Sequence, residues 1–225
     1  MVTFLTSPTF LSVSFVVALL GFALAMLADH LQILAKYSGA VNKRVAGGYN
    51  LAMKVMVANR VGAVLYFLLM AFNVDNGLAA HTLATGLSVT VGCVTVPTVG
   101  LMIWLQHQLK AQGSALRVLD VSHWPKAIVI ATFCATSLNI LGLTLPWIAG
   151  ATYPELRLTL VNTSFLFNTF FTVINVFYIE HHFAKLVDRE ADQIHGFVAG
   201  VMAARFASFV IVSIGLWRNT LPYAP

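Results

Sequence analysis

Six long apolar stretches limit what this sequence can fold into. Crossing the hydrocarbon core of a bilayer, about 30 Å thick, takes about 20 helical residues, and each stretch is long enough. Only 9% of the 225 residues are charged, whereas soluble domains carry about 25% charged residues. The sequence therefore predicts an all-α integral membrane protein with six transmembrane helices. We number these predicted helices 1 to 6, at about 9–35, 47–72, 80–107, 127–148, 158–184 and 196–217.

The six predicted helices account for the whole chain as a single transmembrane domain, with no soluble domain attached. The first apolar run lacks the basic start and cleavage site of a signal peptide, so we expect it to remain as a span. Cys93 and Cys134 fall inside predicted helices without a CxxC partner, which is typical of packing residues. No cofactor is expected.

The distribution of basic residues predicts the orientation. Connections 1, 3 and 5 hold eight of the thirteen Lys and Arg residues, whereas the opposite side holds only Arg157 and Arg218. By the positive-inside rule, both termini should lie outside the cytoplasm. The eight are Lys36, Lys43, Arg44, Lys110, Arg117, Lys126, Lys185 and Arg189.

Three cations lie inside predicted helices, namely Lys54, Arg60 and Arg205. A cation at the bilayer centre costs roughly 2.5–3.5 kcal/mol and usually faces the protein interior or a water-filled cavity. We expect the two arginines at mid-depth and the acids Asp29 and Glu180 nearer the cytoplasmic edge, so ion pairing is a weaker explanation than an anion site. Lys54 is shallower. It either reaches the headgroups by snorkelling or continues a cationic ladder with Arg60.

Polar and small residues form stripes on three predicted helices. The stripe on helix 5 either lines a cavity or forms interhelical hydrogen bonds, and the stripe on helix 3 leaves the same two alternatives. The stripe on helix 6 is a small-xxx-small pattern, which favours close helix packing. The stripes are Ser164, Asn168, Thr172 and Asn175 on helix 5; Thr85, Ser88, Gly92 and Thr95 on helix 3; and Gly196, Gly200, Ala204 and Ser208 on helix 6.

Catalysis has little support in the sequence. No P-loop, Gly-x-Ser-x-Gly or HExxH pattern is present, so we do not expect an enzyme. An acid and histidine cluster between helices 5 and 6 is more typical of a solvated face than of a metal site. Asp29 and His30 could serve as a proton-responsive pair, since histidine titrates near neutral pH. The cluster comprises Glu180, His181, His182, Asp188, Asp192 and His195.

Several motifs are similar to those of one family. They are Asp29 late in helix 1, the run Ala35-Lys36-Tyr37-Ser38-Gly39, the pair Lys43-Arg44, and Asn59-Arg60, with a looser match at Asp188, Asp192, Gly200 and Arg205. On these residues the chain resembles the alternate lipid II flippase family, Amj. It departs from the family pattern in having Asp29 in place of glutamate, a charged residue at Lys54, and no Gln at the end of helix 6.

The resemblance implies translocation of the undecaprenyl-diphosphate-linked peptidoglycan precursor across a bacterial cytoplasmic membrane. The expected partners are this anionic lipid, membrane lipids and a second copy of the chain, and no nucleic acid. The headgroup would travel in a cavity bounded by helices 3 and 5. The alternatives are a membrane enzyme acting on a lipid phosphate, a flippase or carrier for another anionic lipid-linked substrate, a small-solute or ion-coupled carrier that uses Asp29 and His30, and a non-transporting assembly partner. The expected substrate-binding residues are Arg60, Arg205, Lys54, Asn59, Asp29, Asn168 and Asn175.

Overall fold

The fold, taken from a computed structural model that describes residues 7–111, 122, 124–189 and 193–220, is helical without strands over those residues. Six stretches are long and apolar enough to cross a membrane, which confirms the predicted class. Pro154–Leu156 forms a 3₁₀ turn before α5, and Ile174–Glu180 forms a π-helical segment after it. The α-helices are α1 (Pro8–Val41), α2 (Val45–Asp75), α3 (Ala80–Ala111), α4 (Lys126–Thr152), α5 (Arg157–Val173), α6 (His181–Arg189) and α7 (Ile194–Thr220).

The helices start and stop at residues with clear local reasons. The Ser7 hydroxyl accepts a hydrogen bond from the Phe10 N–H at 3.3 Å, which caps α1. Only residues 42–44 separate α1 from α2, and Lys43 in this turn has a positive φ of 56°. Gly77, with a φ of 82°, ends the turn after α2, where glycine has no steric penalty. Helix α1 runs to Val41, beyond the end at residue 35 that the sequence predicted.

Helices α1 and α2 form a tight hairpin because glycines let their backbones touch. A Cβ atom built on Gly48 would lie 2.7 Å from the Gly39 Cα atom, and one on Gly21 would lie 2.8 Å from the Gly62 carbonyl oxygen. Any side chain at these positions would push the helices apart. The predicted small-residue stripe lies on α7, yet the closest backbone contacts join α1 and α2.

Helix α7 lies at the centre of the remaining bundle. Ser88 of α3 and Ser213 of α7 exchange hydrogen bonds between hydroxyls and carbonyl oxygens, at 3.0 and 3.1 Å. Against α4, the Ser208 hydroxyl donates to the Phe133 carbonyl oxygen at 3.0 Å, and Gly200 lies beside Val129. The small-residue stripe of helix 6 thus packs within one chain.

Span 5, which we define as the continuous rod Pro154–Asp188, is the least buried of the six spans. Its main neighbour is α4, and it makes few contacts with α1 or α2. Its N-terminal end is tied to α2 by an ion pair of 2.7 Å between Arg157 Nη1 and Asp75 Oδ1. The loose packing leaves a gap between span 5 and the α1–α2 hairpin.

Candidate functional site

The gap between span 5 and the α1–α2 hairpin is a polar cleft of about 470 Å³. It is lined by α1, α2, α4 and span 5. Because α2 and span 5 hardly touch each other, the cleft is open between these two elements, on a side that would face lipid in a membrane. The chain thus has a polar site at the depth of its transmembrane helices. Its polar lining includes Asp29, Asn59, Arg60, Asn139, Asn168 and Asn175.

Three charged residues of the site lie at similar depth. At about 1.5 Å per residue, Asp29, Arg60 and Arg205 lie roughly 16–23 Å from the ends of their helices on one side of the bundle. The expectation that Asp29 lies nearer the membrane edge than the arginines is therefore wrong. The expectation was wrong because helix 1 was predicted to end at about residue 35, whereas α1 continues for another turn and a half.

Arg60 lines the cleft with an exposed side chain. Asp29 is near enough to interact with it electrostatically, yet Arg60 forms no hydrogen bond or ion pair with another described residue. An arginine within a membrane span normally has such a partner. The planar guanidinium, with five N–H donors, matches a phosphate or a carboxylate.

Asn59 fixes the position of Asp29 beside Arg60. Its Nδ2 atom donates to Asp29 Oδ1 at 2.7 Å and to the Ala25 carbonyl oxygen at 3.0 Å. Both hydrogens of the amide are thereby used within the α1–α2 hairpin. Asn59 therefore orients the carboxyl, while its own carbonyl oxygen is left for other contacts.

Arg205 lies behind the cleft wall, buried with 6% of its surface exposed. Its Nη1 atom donates to the backbone carbonyl oxygen of Asp29 at 2.6 Å. It lines a small void behind the wall and does not line the cleft. The sequence grouped it with Arg60 as an anion ligand, whereas the structure places it outside the cleft, hydrogen-bonded to the backbone of Asp29.

Lys54 lies outside the cleft. It is exposed on α2, and Val57, one turn further along the helix, is 61% exposed. Residues six apart on a helix point about 120° from each other, so Lys54 and Arg60 do not share a face. The cationic ladder does not form, and snorkelling is the better account of Lys54.

The polar stripe of helix 5 lies at the cleft over most of its length. Asn168, Thr172 and Asn175 line it, whereas Ser164 is buried and bonds to the Val161 carbonyl oxygen at 2.7 Å. The stripe of helix 3 instead forms interhelical hydrogen bonds. Ser88 bonds to α7, and no α3 residue lines the cleft. The cavity is therefore not bounded by helices 3 and 5, as expected, but by α1, α2, α4 and span 5.

Asn139 is a site residue that the sequence reasoning missed. It is 6% exposed on α4, lines the cleft, and its side chain forms no hydrogen bond with any described residue. Its amide atoms are not among the buried polar atoms that lack a partner, so they are accessible from the cleft. Its position as an asparagine inside an apolar helix is the sequence signal that could have identified it. The amide is positioned to bond to something in the cleft.

One end of the cleft is closed by an ion pair. Lys36 Nζ of α1 lies 2.6 Å from Glu180 Oε1, the last residue of the π-helical segment. This segment also carries Asn175, so the wide π turn sets the spacing of two residues that line the cleft. Such segments often occur at functional sites, and the sequence pattern gave no sign of this one.

The acid and histidine cluster near Glu180 does not converge on a metal site. Among the described residues, no three His, Cys, Asp or Glu side chains could hold one ion. Glu180 pairs with Lys36, His182 stacks on Phe197 at 5.9 Å, and His195 bonds to Tyr37. Asp192 of the cluster, and Arg117 among the basic residues used for orientation, lie outside the described residues.

The fold and the cleft together define a multi-pass membrane protein with a laterally open polar site. No model of a known family, no curated protein and no solved structure matches this chain. The chemistry of the cleft is the basis for a function.

Proposed function

We propose that the chain is a lipid flippase that moves the undecaprenyl-diphosphate-linked peptidoglycan precursor, lipid II, from the cytoplasmic to the outer leaflet of a bacterial membrane. One observation carries the proposal. Arg60 lines a polar cleft at mid-depth, and its guanidinium has no hydrogen-bond or ion-pair partner among the described residues. A diphosphate is the class of ligand that suits this group.

The charge balance of the site favours an anion. Three cations, Arg60, Arg205 and Lys36, surround the cleft and the void behind it, against two acids, Asp29 and Glu180. If all are ionised, one positive charge is in excess. In a medium of low dielectric constant, an unbalanced charge is costly, so an entering anion is stabilised there.

The surroundings of the cleft favour an anion that is attached to a lipid. Side chains on both sides of the opening are apolar and exposed, including Val64 at 55% and Leu68 at 65% on α2, and Phe165 at 73% on span 5. A polyprenyl chain could stay on this apolar surface while its headgroup occupies the cleft. Ligand pockets measure about 300–1,000 Å³, so 470 Å³ suits the diphosphate and nearby sugar, with the rest of the headgroup outside.

Movement across the membrane requires access to the cleft from each side in turn. Span 5 is tied to the α1–α2 hairpin at one end by Lys36–Glu180 and at the other by Asp75–Arg157. Breaking one pair while the other holds would let span 5 swing like a hinged wall. Such alternating access is the common mechanism of secondary transporters.

The test is precursor exposure on the outer face of bacteria depleted of their own lipid II flippases. The cells would express wild type, Arg60→Ala or Lys54→Ala at matched membrane levels. Both variants remove one cation from α2, but only Arg60 lines the cleft. We expect exposure with wild type and Lys54→Ala, and its loss with Arg60→Ala.

Three outcomes would count against the proposal in different ways. No exposure with a well-expressed wild type would contradict lipid II as the substrate. Equal exposure with wild type and Arg60→Ala would remove Arg60 from the mechanism. Equal loss in both variants would indicate that the total charge of α2 matters and the cleft does not.

A further inference from the structure

A small void of about 10 Å³ lies behind the cleft, between α1, α4 and α7. Asp29 and Asn139 line both the cleft and this void, so they form part of the wall between the two. The other polar residues around the void are His30, Thr136 and Arg205. A void of this size is close to the smallest that holds one water molecule.

His30 lines this void, and one of its two ring nitrogen atoms has no described hydrogen-bond partner. The side chain is 1% exposed, and its Nδ1 atom lies 2.9 Å from the Met26 carbonyl oxygen. Because a carbonyl oxygen only accepts, Nδ1 carries the hydrogen and Nε2 is an acceptor. The buried Nε2 atom has no partner among the described protein groups.

The groups around the void provide enough hydrogen-bond donors and acceptors for one buried water molecule. A water there could donate to His30 Nε2 and to a carboxyl oxygen of Asp29, and could accept from the Asn139 amide or from Arg205. Buried waters typically make about three hydrogen bonds. The Asp29 carboxyl would then be connected to His30 on one side and would face the cleft on the other.

We propose that Asp29 is a proton-binding site, joined to His30 Nε2 by one water in this void, and that proton binding there is coupled to anion binding in the cleft. The proton site stands on the geometry of α1, α4 and α7. The coupling rests on the proposed function, because it requires an anionic headgroup beside Arg60.

The coupling has a simple electrostatic cause. An anion beside Arg60 lies next to the Asp29 carboxyl, and two negative charges in a medium of low dielectric constant repel each other. Neutralising Asp29 with a proton removes that repulsion, so each ligand strengthens the binding of the other. A lipid anion would then enter the cleft together with a proton.

The charged and titratable groups around Asp29 come from four elements. Helix α1 contributes His30 and Lys36, α2 contributes Arg60, α7 contributes Arg205 and span 5 contributes Glu180. Helix α4 contributes only the uncharged Asn139 and Thr136 to these walls. Glu180 is neutralised by Lys36 at 2.6 Å. Asp29 is therefore the acid that responds to an anion in the cleft.

The proton site is tested without any lipid, by infrared difference spectra of the full chain in detergent between acidic and alkaline solution. We expect a carboxylic-acid band that disappears in Asp29→Asn, persists with a shift in Asp29→Glu, and shifts in His30→Phe. Asp75→Asn, which removes an exposed acid at the far end of α2, is the control and should keep the band. A band that survives unchanged in Asp29→Asn would overturn the proton site.

The coupling is tested by titrating undecaprenyl diphosphate into the purified chain in two buffers of different ionisation enthalpy. We expect wild type to take up about one proton per lipid bound, and Asp29→Asn to take up none. Binding by wild type without proton uptake would overturn the coupling and leave the proposed function standing. No binding by wild type would contradict both, while the infrared band would still decide the proton site.

Discussion

Lys36 Nζ lies 2.6 Å from Glu180 Oε1, and this ion pair joins α1 to the end of the π-helical segment in span 5. The two side chains are 13% and 30% exposed, so the pair is partly withdrawn from solvent. The Lys36 ammonium also lies 5.4 Å from the centre of the Tyr49 ring. The same end of span 5 is also held by Ile179 and Phe183, which are buried in an apolar cluster with residues of α1 and α7, so the ion pair adds a charged contact to this anchoring.

We predict that Glu180→Gln lowers the stability of the chain by about 1–3 kcal/mol, because it leaves Lys36 partly buried without its counter-charge. The measurement is thermal unfolding in detergent. Asp75→Asn is the matched control. It breaks the other ion pair of span 5, where the Asp75 side chain is 65% exposed, so the loss should be at most about 1 kcal/mol. Equal losses would contradict the role of Lys36–Glu180 as the stronger of the two ion pairs.

We predict that Gly48→Ala separates α1 from α2 and destabilises the chain by about 1–3 kcal/mol, the usual cost of forcing atoms into a packed interface. The added Cβ would lie 2.7 Å from the Gly39 Cα atom, and backbone atoms cannot give way as flexible side chains do. The measurement is again thermal unfolding.

Gly100→Ala on α3 is the control for this prediction. A Cβ atom at Gly100 has no neighbour within 4 Å, so alanine should stabilise the helix by up to about 1 kcal/mol. Similar effects of the two substitutions would mean that the α1–α2 contact is looser than the structure has it.

The sequence predicted the fold well because membrane spans follow from length and composition. It also grouped part of the polar lining of the cleft, since Asn168, Thr172 and Asn175 share a helical face by spacing alone. Polar residues at helical spacing need a polar neighbour in lipid. The stripe on helix 5 therefore carried real information about a cavity.

The remaining features depend on tertiary contacts that spacing does not encode. The depth of Asp29 depended on where α1 ends, and polar residues near a membrane surface continue a helix as easily as they end it. The orientation of Lys54 depended on which face of α2 meets α1, which the pair Gly21 and Gly62 fixes. The π turn before Glu180 shifts the helix register without any sequence signature.

We predict that Arg60→Lys reduces the affinity for undecaprenyl diphosphate less than Arg60→Ala does. Both remove the planar fork that binds two phosphate oxygens, but lysine keeps the positive charge. Loss of charged hydrogen bonds worth about 1.5–3 kcal/mol corresponds to roughly a 10- to 150-fold weaker affinity for alanine. Binding of a fluorescent polyprenyl diphosphate in detergent measures the three affinities. Equal affinities of Arg60→Lys and Arg60→Ala would indicate that shape matters and charge does not.

We predict that Asn139→Leu changes the stability of the chain by less than about 1 kcal/mol but weakens its binding of undecaprenyl diphosphate. The Asn139 side chain lines the cleft and has no described hydrogen-bond partner, so leucine of similar size breaks no described hydrogen bond. A headgroup in the cleft would lose one hydrogen-bonding partner.

Asn73→Leu is the control, because Asn73 is 1% exposed but fully engaged. It accepts a hydrogen bond from the Ser14 hydroxyl at 3.1 Å and donates to the Leu69 carbonyl oxygen at 2.7 Å. Its replacement should cost about 1–3 kcal/mol and leave lipid affinity unchanged, since Asn73 lies outside the cleft. If Asn139→Leu instead destabilised the chain as much as Asn73→Leu, the amide of Asn139 would have a structural role and would not serve the ligand.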